Sequence, residues 1–480
     1  MKHDFCRHTI MDFFLNVRFF IIGSVLILAG CQSQLISLKP PLQDEGEIFL
    51  YTRPFPREAD RLSFTLETVN AVRDDGVEFP LSPVLHDMNG AEMGRQRFLG
   101  SCRLPPGTYR GLSLRVSHPR LRTEEGSARL LAPDGGVMLA FPFTVQRQKA
   151  ELLSLSFDYA RSVREQFSFS PVFTITLPGK PVTGLVGYVT NAGSDTITVF
   201  DKQSHEVTGV IASGSTPWGV VFDQQRKRAY VALAGEESIQ VIDIVTGEEL
   251  RRIRLNPGDH PRELALTLDG KLLLTVNPGS NTVSIIDPLS FYEITRINVG
   301  DGPSSIVLDP TGQRAYVFCP IAGSLSVIDI GSRNVVATVA TEPGESRGAF
   351  NRSGDRLYTI HDQSSYLTVR NPFTLAVQQR FYVGMGMAAL KVDTLSDLVY
   401  GGKKYDADAE VYEPFSFTPI ATVRVGGSVT YLTIDGEENK LYVVNAARHM
   451  LQVVNPVNYN VEAELDVGDD PCRVALVGER

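Results

Sequence analysis

Two patterns of apolar and polar positions divide this chain. Between about residues 47 and 180, apolar residues recur at every second position in short runs. Examples are Leu62/Phe64/Leu66, Leu112/Leu114/Val116 and Leu153/Leu155/Phe157. A period of two marks strands with one buried face. Turn signals separate the runs: AspAspGly at 74–76, ProProGly at 105–107 and AlaProAspGlyGly at 132–136. From Gly187 onward a longer repeat takes over. A short strand ending in an acid or amide comes round seven times, at Asp201, Asp243, Asp287, Asp329, Asn371, Glu413 and Asn455, with spacings of 42, 44, 42, 42, 42 and 42 residues.

Each copy holds four strand-like pieces. In the second they are 217–223, 228–232, 238–243 and 249–255, separated by turn residues. Four antiparallel strands in one such repeat make a propeller blade, whereas a helical solenoid needs a period of 3.6. The series opens at Tyr188 with no first-type strand before it and closes with ProCysArgValAlaLeuVal (471–477), a first-type strand with nothing after it. The last strand is therefore predicted to complete the first blade, which removes two exposed sheet edges. The predicted fold is all-β: a β-sandwich over 47–180, a linker at 178–183 and a seven-bladed β-propeller over 186–480. The recurring acids and amides read as turn-makers accepting backbone N–H groups, and Asn191, Asn277 and Asn445 as residues that tie down the next loop.

TyrValThrAsn (188–191), TyrValAla (230–232), TyrValPhe (316–318) and TyrValValAsn (442–445), with their ValIleAsp endings and GlyxxPro lead-ins, resemble the YVTN family of propeller repeats. Leu274 replaces the tyrosine in the third copy. The lead-in proline present as Pro217, Pro261, Pro303 and Pro471 is missing near Glu345, Met387 and Val429. LeuProProGlyThrTyr (104–109) is similar to a hairpin of transthyretin-like or immunoglobulin-like domains.

The first residues change the picture of where the chain resides. Phe19–Ala29 is an apolar run behind a basic segment, too short to span a bilayer and suited to a signal peptide (1–30). LeuAlaGlyCys at 28–31 looks like a bacterial lipobox. The resemblance implies cleavage before Cys31 and lipidation of its thiol, with residues 31–46 as a tether. Gln32 after the cysteine implies, by analogy, sorting to the outer membrane, on its periplasmic or surface face. The membrane, reached through Cys31, is the one partner the sequence names.

The formal charge of −9 argues against broad nucleic-acid binding. Cys102, Cys319 and Cys472 lack CxxC spacing and read as free thiols. No CxxCH, GxSxG, P-loop or HExxH motif occurs, so no cofactor or resident metal is predicted.

Propeller ligands sit at a channel mouth. The repeat alignment places Trp218, His260, Arg262, Glu263, Cys319, Arg347, His361, Met387, Tyr431, His449, Cys472 and Arg473 on one rim. The ligand-binding candidates are Trp218, His260, Arg262, Arg347, His361, Tyr431 and Arg473. Three arginines suit an anionic ligand, so the partner expected at the mouth is an anionic small molecule or an unknown protein; alternatively the arginines pair with neighbours such as Glu263. His260, His361 and His449 with Cys319 or Cys472 are a weaker metal option. The function expected is a lipid-anchored envelope binding protein. The rival is an envelope propeller enzyme, lactonase- or lyase-like or metal-dependent, using His, Glu and Arg at the mouth, with its catalytic residues unassigned.

Overall fold

The computed structural model describes residues 42, 44–124, 126–132 and 135–479. The expected signal peptide, Cys31 and most of the tether lie outside them. The protein is all-β, and its carboxyl-terminal part is a seven-bladed β-propeller of seven four-stranded sheets. In chain order around the ring, the first strands of blades 1 to 7 are Pro471–Leu476, Pro217–Asp223, Leu264–Leu266, Ser305–Leu308, Glu345–Phe350, Met387–Val392 and Val429–Asp435.

Burial explains why the strands differ in composition across a blade. Second strands such as Val186–Asn191 are buried on both faces, because a neighbouring blade packs on each side. They therefore read as unbroken apolar runs. Outer strands such as Asn334–Ala340 alternate between half-buried and exposed residues. Apolar clusters bridge adjacent blades: Tyr230 and Val241 of blade 2 pack with Leu264, Leu273 and Ile286 of blade 3.

All seven recurring acids and amides make turns. Asp201 Oδ1 accepts from the N–H groups of Gln203 (3.0 Å) and Ser204 (2.7 Å), and Asn371 Oδ1 from those of Phe373 (2.9 Å) and Thr374 (3.0 Å). Asp243, Asp287, Asp329, Glu413 and Asn455 repeat the arrangement. Four residues further on the chain enters the left-handed region each time, at His205, Gly247, Phe291, Arg333, Leu375, Phe417 and Tyr459. Asn191 and Asn277 cross-link the following strand through its Thr and Ser hydroxyls.

The amino-terminal strands, expected as a β-sandwich, include a parallel pair. Ten of them form one continuous sheet, and Val163–Arg164 pairs with Ser168–Phe169 in a separate two-stranded one. Gly46–Thr52 pairs in parallel with Ala150–Phe157, and Glu78–Pro83 joins the two halves by pairing with both Leu62–Arg73 and Arg97–Leu104. Three register shifts between Leu62–Arg73 and Gly107–Thr123 give these long strands the local bends of β-bulges. The sheet encloses one core containing Leu50, Phe64, Leu112, Leu153 and Phe157. Tyr109 is buried in it and donates its hydroxyl to Pro105 O at 2.9 Å. Alternation of apolar residues is the same in parallel and antiparallel strands, so the pattern could not reveal the parallel pair.

The propeller ring closes between blades 7 and 1. Pro471–Leu476 pairs antiparallel with Val186–Asn191, Gly187 opposite Leu476. Lys202, fully buried, lies 2.8 Å from Asp435 Oδ2 of blade 7, which is also fully buried, and donates to Val477 O at 2.6 Å. It occupies the position held by Pro288, Pro372, Pro414 and Pro456 in other copies. The amino-terminal sheet spans the outside of the same seam. Asp466 of blade 7 accepts from Arg95 (2.7 Å), Arg97 (3.1 Å) and Phe98 N (2.9 Å), while Gln96 pairs with Val207 of blade 1. Phe49, Tyr51 and Leu152 share a core with Val207, Leu465 and Val467.

Two outcomes follow from this seam. Replacing Lys202 by Met strands a buried carboxylate and is expected to lower unfolding free energy by about 3–5 kcal/mol, read from urea denaturation. Deleting the chain from Pro471 onward removes a whole buried strand and is expected to lower the melting temperature sharply; an unchanged melting curve would refute closure as a source of stability.

Candidate functional site

The third residue of each lead-in forms one layer across the channel: Arg473, Gly219, Glu263, Ser305, Arg347, Ala389 and Tyr431 for blades 1 to 7. The strict repeat places these seven at equivalent points, so differences in their side chains decide what the channel offers. Gly219 is required by close approach: a Cβ there would meet Arg262 O at 2.4 Å, and the Gly219 N–H donates to that oxygen at 2.8 Å.

Glu263 is the hub. Arg347 Nη1 lies 3.0 Å and Arg473 Nε 3.2 Å from its Oε1, and Ser305 also hydrogen-bonds to it. Both guanidinium groups lie against the Tyr431 ring, at 5.4 Å for Arg347 and 4.8 Å for Arg473, a cation–π arrangement strengthened by desolvation. Arg473 Nη1 donates to Cys472 O at 2.9 Å. Next to this group Arg262 stacks on Trp218 at 4.2 Å, and Thr190 donates to Trp218 O at 2.6 Å.

Burial opposes ionisation of Glu263, yet Arg347, Arg473 and Ser305 more than offset it and hold the carboxyl below its usual range. Burial, and then the neighbouring Arg347, lowers the Arg473 pKa; burial lowers that of Arg262. Burial pushes the Tyr431 phenol up, which keeps it neutral, and pushes the Cys472 thiol up to about 12.

Five of the seven predicted residues, Trp218, Arg262, Arg347, Tyr431 and Arg473, are therefore drawn together by these contacts. The alternative that the arginines pair with Glu263 holds for Arg347 and Arg473. Two predicted residues stand apart. His361 is buried within blade 5, its Nε2 3.3 Å from Thr368 Oγ1 and 3.6 Å from Glu345, whose carboxylate is bound by Arg370 at 2.8 and 3.1 Å. Burial lowers its pKa and favours neutral imidazole. His260 is exposed, with Nδ1 3.1 Å from Ala234 O. His449 is exposed near Asp469, at 3.7 Å. Cys319 is a buried thiol pushed up to about 11 by burial. Among the described residues no three His, Cys, Asp or Glu side chains gather as metal ligands. Ser305 was missed by sequence reasoning, although its position in the repeat matches those of Glu263 and Arg347.

No family model matches the chain, and no curated protein matches it. Among solved structures, a functionally unknown protein from Desulfotomaculum acetoxidans is similar over 60% of this chain and 99% of its own, with 13% identity and a TM-score of 0.52. The dihydro-heme d1 dehydrogenase NirN shares 14% identity over 63% of this chain and 78% of its own (TM-score 0.49). Kuenenia stuttgartiensis hydrazine synthase shares 18% over 53% and 87% (TM-score 0.47). At these identities the likeness concerns the fold alone.

The Glu263 cluster predicts a pH dependence. Its folded pKa is depressed, so its stabilising contribution is full above the ordinary glutamate value of about 4.3. That contribution is lost as pH falls past this value and through the lower folded one. Glu263→Gln should destabilise the chain by about 3–5 kcal/mol at pH 7, and the gap to the parent should narrow in denaturant titrations at progressively lower pH.

Proposed function

We propose that this protein is a lipid-anchored binding protein of the bacterial cell envelope whose propeller channel receives an anionic group, a carboxylate or phosphate. The observation that carries the reading is a charge imbalance. Arg347 and Arg473 share the carboxylate of Glu263 while Arg262 stacks on Trp218 beside them, and Glu263 and Arg473 are buried. Buried charge is costly unless compensated, and guanidinium N–H forks suit planar or tetrahedral oxyanions. Among the described residues Arg262 has no carboxylate at ion-pair distance, and it stacks on Trp218, so it is the group best placed to meet a ligand.

Binding is favoured over catalysis by the protonation states. Glu263 is held ionised between two arginines and is a weak base; the Tyr431 phenol and Cys472 thiol stay protonated. General acid–base work instead asks for a group poised near neutrality.

The envelope location rests on the lipobox-like LeuAlaGlyCys and the apolar run before it. The YVTN-type repeat accords with it, as does a separate amino-terminal β-domain over 47–180, for which a sandwich-like ancestry is proposed from the hairpin at 104–109. Docked on blades 1 and 7, that domain acts as a brace.

Calorimetry with phosphate, sulfate, citrate and short dicarboxylates tests the site. At least one should bind, and Arg262→Gln should weaken it by about tenfold or more, the worth of one charge-assisted contact, with little change in melting temperature. Equal binding by Arg262→Gln, or heat indistinguishable from chloride for every anion, would sink the proposal. Incorporation of labelled fatty acid, expected in the parent chain and absent from Cys31→Ser, tests the anchor.

A further inference from the structure

We infer that the outer edge of blade 1 binds an extended peptide, which adds a fifth strand beside residues 208–212. A cavity of about 810 Å³ lies at this edge. Its walls are strand Glu206–Ala212, residues 147–152 of the amino-terminal sheet, residues 177–181 and the blade 2 loop 244–249. The volume falls among those of ligand pockets, about 300–1,000 Å³.

The edge has unmet pairing capacity. Among the described residues, Glu206–Ala212 has a backbone ladder on one side only, with Thr196–Asp201, while its Val207 and Val210 side chains pack with Leu152 of the amino-terminal sheet. The Ser213 N–H donates to Asp195 O at 3.1 Å. With that phase of the antiparallel ladder, the N–H and C=O groups of Val210 and Ala212 face away from the partner strand, and both residues line the cavity. The same edge already holds one amide in strand-like fashion. Gln96 donates Nε2 to Val207 O (3.0 Å) and accepts from Val207 N at Oε1 (2.7 Å). That side chain ends where the cavity begins, and the backbone edge continues past it.

Two buried polar atoms on the blade 2 side point to an occupant. Tyr188 Oη and Gln240 Oε1 have no hydrogen-bond partner among the described residues, in side chains 0% and 2% exposed that both line the cavity. Gln240 Nε2 donates to Glu249 Oε2 at 2.7 Å, which turns Oε1 the other way. The equivalent tyrosines of blades 4 and 5 have acceptors: Tyr316 donates to Pro372 O (3.0 Å) and Tyr358 to Pro414 O (3.4 Å). Tyr442 Oη also lacks a partner among the described residues, whereas Tyr230 lies beside Arg228, and of these three tyrosines only Tyr188 lines this cavity. Buried polar groups without partners call for water or a ligand.

Charge selects the kind of peptide. Arg147, Lys149 and Lys180, with Glu151 among them, stand on the side of the amino-terminal sheet and the linker. Glu248 and Glu249 stand on the blade 2 side, where Arg252 is tied to Glu236 and Glu249. The exposed pair Lys149–Glu248, at 3.1 Å, crosses between the two sides. Side chains of an added strand alternate between such walls. The fitting occupant alternates acidic residues, toward the lysines, with basic or amide residues, toward Glu248 and Gln240.

The test uses the purified full chain and a panel of peptides of about eight residues, a usual strand length, alternating Asp or Glu with Lys or Gln. Binding is followed by fluorescence anisotropy and amide hydrogen exchange. A binding peptide is expected to slow exchange at Val210 and Ala212 by about tenfold or more, and to lose binding when its alternate amides are N-methylated. Tyr188→Phe, which keeps the ring, should weaken it by roughly fivefold or more. Gln240→Met gives the same readout should Tyr188→Phe fold poorly. Unchanged exchange at both positions with every peptide of the panel overturns the proposal, as does equal binding by the N-methylated copy.

Discussion

A propeller is a row of sheets that must close on itself, and closure is the constraint on which the rest of this molecule depends. Every blade buries its two faces against neighbours, so a missing contact between the last blade and the first would expose two apolar faces at once. Three independent devices meet at that junction: the carboxyl-terminal strand in blade 1, the buried Lys202–Asp435 pair, and the amino-terminal sheet across the outer strands of blades 7 and 1. They differ in kind. The strand supplies backbone pairing, the ion pair is set by partners that cannot be exchanged for water, and the sheet adds a shared apolar core. A stretch that looked like a linker between two separate modules thus joins parts of one packed body.

The channel layer applies the same physics with the opposite outcome. At the seam, one buried ammonium meets one buried carboxylate, and the exposed Glu437 adds a second carboxylate at 3.4 Å. In the channel, two guanidinium groups share one carboxylate, and a third is held by an aromatic ring instead of an acid. A fold stabilised by many apolar contacts between blades tolerates that excess of positive charge. Such tolerance is what a binding site for an anion requires: donors fixed in advance by packing, and an electrostatic deficit that a ligand makes good.

The architecture was legible because it is periodic. Strand number per blade, the turn-making role of residues such as Asp201 and Asn371, and the pairing of the last strand with the first blade all come from counting copies. Legibility failed where a contact joins residues unrelated by the repeat. Nothing in the alternation of Leu153 and Leu155 distinguishes a parallel neighbour from an antiparallel one. Nor does it show that Gln96 would reach Val207. His361 was placed on the rim by alignment alone, and the burial that draws it between Glu345 and Thr368 is a property of packing. Lys202 could have been flagged. A charged residue where other copies carry proline or isoleucine asks for a buried partner, and the sequence distance of 233 to Asp435 hides which one.

Closure and site are therefore one problem. Arg473 lies on the carboxyl-terminal strand, and Tyr431 on the first strand of blade 7, so the ring and the guanidinium that stack together belong to the two blades the seam joins. Glu263 and Arg347 come from blades 3 and 5, which sit within the continuous run of the repeat. Without the carboxyl-terminal strand blade 1 would lack Arg473, and Glu263 would keep only one of its two cations. The channel layer therefore draws side chains from both sides of the seam whose outer face carries the contacts of Asp466 with Arg95 and Arg97. A ligand bound across Arg347 and Arg473 would in turn add to closure, since it would tie blade 5 to the strand that completes blade 1.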